Sequence, residues 1–436
     1  MIYDACSSSC TTYSTWHKKP TKMMVKTVID YISLRGRGNS VVAKHTMSAA
    51  KRCCKNRDRV NENDENQQKH LEIESVLLPG LPNHLAQHCL STLHPSLLYN
   101  VCMSWRRFLY SPCFPPFFSL YALLRPNSAT APSANCVRGH CQSHSVAFFC
   151  FEPISSKWRS LPSPPSDPPL CLLRRHPSFI SRNLPVQSIT ASGRLVLIAA
   201  NTHELLPALT RPLVFDPLSS KWNFGPPFSA PRRWCATGSV HGMVYVASGT
   251  GAQFHSDVAR SLERWDMSKN ETGWDWEKMA PLRDGRFSRE ATEALGYRGK
   301  LYMVNVKGKA VKEGAVYDTL MNQWEAMPRG MLQGWNGPAT VDDDVMYVVD
   351  QEKGSLRKYV GDNDRWEEMI QPLEHLIGAE HISAGRGKVC AVSADGGKIV
   401  VVDILTKPPK VWMVNPPQGM EVIAVHILPR MSFPDD

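Results

Sequence analysis

No stretch of this 436-residue sequence approaches the ~18 consecutive apolar residues of a membrane-spanning helix, so no membrane partner is expected. Residues 1–30 are too polar to hold the apolar centre of a secretory signal. The thirteen cysteines are odd in number and lack the spacing of a disulfide framework, which fits a reducing compartment. The expectation is a soluble chain of the cytoplasm and/or nucleus. Catalytic signatures are missing as well: there is no phosphate-binding G-x-x-x-x-G-K-S/T loop, no H-E-x-x-H pair and no G-x-S-x-G elbow. Positive charge is scarce where a fold is expected. The net charge is +10, but residues 1–70 hold thirteen Lys/Arg against six Asp/Glu, which leaves only +3 for the rest. A nucleic-acid groove needs its cations on the folded surface, so no nucleic-acid partner is expected.

Residues 1–70 lack sustained periodicity and end in the polar run RDRVNENDENQQKH. Such a composition buries too little apolar surface to offset the entropy of ordering, so the segment reads as a disordered basic tail. Met47 opens MSAAKR, a serviceable start, and residues 1–46 read as a dispensable or mis-called extension. The basic AAKRCCKNRDR is a solvated tail rather than an import signal.

The character changes at residues 77–124. Leu85, Cys89 and Leu93 share one helical face, which Pro95 closes. A second stripe, Leu98, Val101, Cys102, Trp105 and Leu109, follows Ser96 as a candidate N-cap. Helices this short make little core alone and need a neighbour. Residues 125–143 read as a polar linker. Within it Cys136, His140, Cys141 and His144 have metal-ligand chemistry, but C-x4-C without a second spaced pair matches no zinc pattern, so no metal or cofactor is expected. Asn270-Glu271-Thr272 is a formal glycosylation sequon that an intracellular chain does not use.

From Ser145 onward a pattern recurs: an apolar strand, a turn, a tryptophan and a proline-bearing exit. The six tryptophans are Trp158, Trp222, Trp276, Trp324, Trp366 and Trp412, at intervals of 64, 54, 48, 42 and 46 residues. Between them lie strand pairs such as HGMVYVASGTG and YRGKLYMVNV, each opened by a Gly- or Asp-bearing turn. Four short strands per unit describe a propeller blade, so six copies predict six blades. The Pro-rich LPSPPSDPPLCLLRRHP in the longest interval reads as an exposed loop. The tryptophans are expected to pack between adjacent sheets. The first copy lacks a preceding strand pair and VIAVHIL at the end lacks a tryptophan, so the two ends should share a blade and leave no open sheet edge.

Residues 81–114, with Leu81-Pro82, Leu97-Leu98, Val101-Cys102 and Trp105-Arg106, resemble an F-box. The tryptophan units, with Tyr/Phe-Asp before the turn and one Gly-x-Gly at Gly249–Gly251, resemble kelch repeats. Together they look like a plant F-box/kelch-repeat protein over roughly residues 77–428. The fold class expected is thus multidomain: a small all-α F-box (77–124), a linker (125–143) and an all-β six-bladed kelch-type β-propeller (144–430). The resemblance implies a non-catalytic substrate receptor of a Skp–cullin–F-box ubiquitin ligase, whose partners are a Skp-type adaptor, through it a cullin, and a protein substrate. It places Leu81, Pro82, Leu85, Leu98, Val101 and Trp105 against the adaptor, with Cys102 among the residues turned inward.

For the propeller, the turn-rich segments that precede the strand pairs should gather on one rim. Arg232, Arg233, Trp234, Arg286, Arg289 and Trp335 would form a basic, aromatic surface suited to an acidic or phosphorylated segment. Two other classes remain open from the residues. One is a kelch scaffold or cytoskeletal binder without ligase activity. The other is a propeller enzyme, which needs converging metal ligands or paired carboxylates that the repeats do not offer by spacing.

Overall fold

The computed structural model describes residues 76–111, 113–115, 117–127, 143–165, 171–173, 186–202, 206–269, 273–288, 292–305 and 312–431. The tail and its basic run, the 1–46 extension, Cys136, His140, Cys141, the sequon and Arg289 lie outside the described residues. No described helix is long and apolar enough to cross a membrane.

Among the described residues three helices come first: α1 (Asn83–Leu90), α2 (Pro95–Tyr99) and α3 (Met103–Tyr110). Pro95 opens α2 rather than closing α1, because a first-turn proline has no intrahelical N–H to lose. The cap is His94, whose side chain accepts from the Ser96 amide; Ser96 lies inside the helix. The supposed single stripe over 96–110 is two helices, broken at Asn100–Cys102, where Cys102 is extended at φ −156°. Cys102 is therefore exposed, not internal. Ala86, Leu90, Leu98, Phe108, Leu109 and Phe114 bury one another in a small core, and the Trp105 indole donates to the Leu77 carbonyl at 2.7 Å.

Six four-stranded antiparallel sheets follow. Blades 2 to 6 use consecutive strands within residues 187–224, 236–278, 292–326, 339–368 and 381–414. Blade 1 is composite, in the order Met420–Pro429, Phe118–Pro126, Ala147–Glu152, Lys157–Ser160. The C-terminal strand thus closes the ring, as the sequence suggests. Its neighbour, however, is the run assigned above to the F-box. Phe118–Pro126 is buried on both faces, so its pattern is continuous rather than alternating and does not separate strand from helix. The helical region ends near residue 117 and the propeller begins at 118, which also removes residues 125 and 126 from the linker. Ser143–Ser145 pairs with Cys171–Leu173 in a separate two-stranded sheet, so part of the Pro-rich insertion is paired strand.

Each gap between neighbouring blades is filled by one apolar core, six in all, including the gap between blades 6 and 1. Five of the repeat tryptophans serve these gaps. Trp222, Trp276, Trp324 and Trp366 donate to the carbonyls of Pro162, Pro226, Ala280 and Met331, on the exit from the preceding blade, at 2.8–3.0 Å. Trp158 of blade 1 does the same to Asn415 of blade 6 at 2.8 Å, so one device repeats around the circle. Trp412 departs from it. It is 42% exposed beneath Lys388, and Ile370 and Leu376 fill that gap in its place.

The turns explain the residues at their corners. Between first and second strands, pairs such as His241-Gly242 and Arg298-Gly299 both have positive φ, the tight hairpin turn that matches strand twist. Between third and fourth strands, the aspartate of each Tyr/Phe-Asp accepts from the amide two residues on, as Asp216 does from Leu218 and Asp318 from Leu320, both at 2.9 Å. Antiparallel order puts both turn types at one end of the ring. The second-to-third and fourth-to-first connections therefore share the other end.

A polar link crosses the closure. His426 on the C-terminal strand meets Ser188 at 2.9 Å (Nε2) and Thr190 at 3.2 Å (Nδ1), both on the first strand of blade 2. His381, on the first strand of blade 6, accepts from the Val425 amide at 3.4 Å. Burial holds His381 down at about 4, and burial together with His381 pushes His426 well below the ordinary imidazole range. Both are neutral in the folded ring, whereas the unfolded chain binds their protons near pH 6.5. Stability is full above that pH and falls as acid approaches pH 4, by about 3 kcal/mol for His381 alone. Urea unfolding from pH 7 to pH 4 should show this slope, and His381→Gln should flatten it.

Candidate functional site

The helical module has two apolar sides. On α1 the period of 3.6 turns Ala86 and Leu90 inward, while Leu85 and Cys89 face out. Of the six residues expected at the adaptor, Leu85 and Val101 are 46% and 57% exposed and Pro82 is exposed. Leu81 and Trp105 are partly buried against the module core. Leu98 is fully buried and supports the module from within; as part of a continuous stripe it was expected outside, and the break at Asn100–Cys102 is why it is not. Two exposed apolar side chains were missed, Val76 (62%) and Met103 (59%). Met103, two residues past Val101, was within reach of sequence reasoning. Leu85, Val101, Met103 and Val76 are thus four large apolar side chains left exposed on one small module.

The module is joined to the turn end of the propeller. Arg430, at the end of the closing strand, is almost wholly buried and donates to the carbonyls of Tyr110 (3.1 Å) and Ser111 (2.7 Å). It thereby satisfies carbonyls that α3 leaves unpaired at its C-terminus. Its guanidinium lies 5.3 Å from the Phe117 ring centre, and burial pushes its pKa down to about 10. Ile154, in the blade 1 turn, packs on the helical core.

The opposite end carries the four segments expected to gather there: 230–238, 329–340, 377–385 and the described part of 281–292, each of which leads into the first strand of a blade. They do share one rim, but the expected patch changes. Arg232 is buried, held by Glu263 at 2.9 Å, Ser261 Oγ at 2.6 Å and the Ser248 carbonyl at 3.3 Å. Trp335 is fully buried, edge-on to Trp366 at 6.3 Å. Both are structural, because a connection that packs on the next blade must send some side chains inward. Arg286 is exposed and already engaged by Asp284 (2.6 Å) and Glu313 (3.2 Å). Arg233 is half-buried, its guanidinium 4.1 Å from the centre of the Trp234 ring. Among the described residues no three metal-ligating side chains converge.

A small helical module with exposed Leu85, Val101 and Met103 is thus fixed to one end of a six-bladed ring, and the rim connections gather at the other. No family model matches the chain. It is 50% identical over 370 residues to the F-box/kelch-repeat protein SKIP25 of Arabidopsis thaliana, which covers 83% of this chain and 91% of that one. Identity is 22% over 301 residues to the F-box protein AFR, covering 66% and 72% of the two chains. For the F-box/kelch-repeat protein SKIP20 it is 27% over 290 residues, covering 59% and 67%; both are from the same plant. The chain belongs to the F-box/kelch-repeat family. Kinship and propeller fold together support a substrate-receptor role.

Proposed function

We propose that this protein is the substrate-recognition subunit of a Skp–cullin–F-box ubiquitin ligase. One observation carries the reading: a helical module with Leu85, Val101 and Met103 uncovered is fastened by buried Arg430 to the propeller end remote from the loop rim. The exposed apolar side chains dock on a helical Skp-type adaptor, with Val76 and Pro82 beside them in the chain. Trp105 and Leu81 hold the docking surface from behind, and Leu98 supports it from the core.

The mechanism is tethering rather than chemistry. The rim of the propeller holds a protein substrate, and the module fixes that complex to the cullin scaffold. A substrate lysine then meets the ubiquitin-charged conjugating enzyme at a raised effective concentration. The reactive thioester belongs to another protein, so this chain needs no catalytic residue of its own. A fixed joint between module and ring matters here, because a loose one would dilute that concentration.

Affinity purification of the full chain tests the proposal. Adaptor and cullin should co-purify with the wild type and disappear with Leu85→Asp/Val101→Asp. Recovery of the folded wild type without either partner would favour a kelch scaffold or cytoskeletal binder.

A further inference from the structure

Arg232 and Arg233 are adjacent and have opposite fates. The first turns inward and has acceptors for all its nitrogens: the Ala230 and Ser248 carbonyls, Ser261 and Glu263. The second has none among the described residues. Its Nε and Nη1 are buried with no acceptor, which leaves Nη2 as the open corner of the guanidinium. Arg286, on the next rim connection, is by contrast matched by two carboxylates. Burial alone lowers the Arg233 pKa, with no acidic group opposing it.

The unmatched cation is held in place on three sides. Its backbone exchanges hydrogen bonds with Thr250, N to O, at 2.9 Å in each direction. Gly249 lies beneath at φ +102°, where a Cβ would come within 2.9 Å of the Arg233 carbonyl, so the close approach requires glycine. Its guanidinium stacks on Trp234, whose φ of +55° is a left-handed conformation that a bulky side chain adopts only when its surroundings impose it. The same rim carries Phe254, 64% exposed, in the loop before α4 (Ser256–Arg260). A desolvated guanidinium without a counter-charge is costly to keep, and an anion at its open corner meets less screening than in bulk water.

We infer that Arg233 is an oxyanion-binding site on the propeller rim, the anchor for a carboxylate or phosphomonoester carried by a peptide. This deepens the substrate-receptor reading and rests on it for the identity of the ligand as a protein segment. Trp234 fixes the plane of the guanidinium, so its donors need little ordering when the anion arrives. Phe254, exposed on the same rim, is available as an apolar contact for a peptide that carries the anion. Among the described arginines of the basic patch expected from the sequence, Arg232 and Arg286 face carboxylates and Arg233 does not.

The arginine Nε–Hε resonances of the full-length protein, with the Arg233 signal assigned by its loss in Arg233→Lys, supply the test. Orthophosphate and acetate are titrated separately at constant ionic strength. The Arg233 signal should shift saturably, while that of Arg286 should not. Phosphate at least tenfold tighter than acetate identifies a phosphorylated ligand; comparable affinities identify an acidic one. An unresponsive Arg233 signal, or equal response at Arg286, means an adventitious ion only and overturns the inference. Because this titration uses wild-type protein, misfolding of a variant does not obscure it. Arg233→Gln should also weaken substrate capture at least tenfold and leave adaptor binding unchanged. Should the wild type respond to oxyanion yet hold no adaptor, the ligase reading fails and this site stands.

Discussion

Deleting residues 420–431 should abolish cooperative folding of the propeller rather than merely weaken it. The strand Met420–Pro429 pairs along its length with Phe118–Pro126, from Phe118 opposite Pro429 to Pro126 opposite Met420. It buries Val422, Val425, Ile427 and Leu428 in the gaps on either side. At about 1.5–3 kcal/mol each, these four side chains contribute about 6–12 kcal/mol. The whole stability of a domain is about 5–15 kcal/mol. Deletion also exposes the edge of Phe118–Pro126, an apolar strand prone to pair with other chains. The truncated protein should be insoluble or lose its sigmoidal urea transition. A soluble product with an unshifted transition would mean that the ring does not depend on its last strand.

The second large effect concerns Arg232, which the sequence offered as a substrate contact. With Glu263 left buried and unpaired, Arg232→Met should cost about 3–5 kcal/mol, because one charge is stranded where water cannot reach it. Glu263 also accepts from Ser229, so the deletion disturbs a small network. Adding Glu263→Leu should recover most of the loss, since an apolar pair can replace a buried ion pair at little cost. Urea unfolding of the two variants checks both statements. A single variant within about 1 kcal/mol of wild type would place Arg232 among idle surface arginines after all.

The architecture was largely legible from the chain, for a physical reason. Blades 2 to 6 share a hairpin turn needing positive φ, blades 2, 3, 4 and 6 an aspartate that organises the next turn, and blades 1 to 5 a tryptophan that reaches the preceding blade, and such repetition makes weak local signals readable. Ring closure by the C-terminal strand followed from the mismatch of the two ends. What escaped was Phe118–Pro126. Flanked on both faces by neighbours, it has no period to read, and its position after the helices lent it their identity. Trp412 escaped because the pattern names the residue but not the occupant of the gap, and Ile370 and Leu376 got there first.

Site residues were harder to read, since the sequence shows residue type but not direction. Arg232 and Arg233 are neighbours with identical chemistry; only the position of Glu263 in the fold separates structural from available. Leu98 and Val101 are three apart and would share a helical face, had the helix not ended between them. Exposed Leu85 and Val101 are identifiable from the resemblance, whereas the exposure of Met103, within the same residues 81–114, follows from the start of α3 at that position.

The most direct test of the division of labour is the affinity of the purified full-length chain for a purified Skp-type adaptor, measured for three proteins. Wild type should bind, and Leu85→Asp/Val101→Asp should bind at least a hundredfold more weakly with its urea transition intact. The third, Leu218→Asp/Leu405→Asp, changes exposed apolar side chains on propeller turns at the same end as the module and should match wild type. Equal affinity in all three, or a loss confined to the third, would contradict the account.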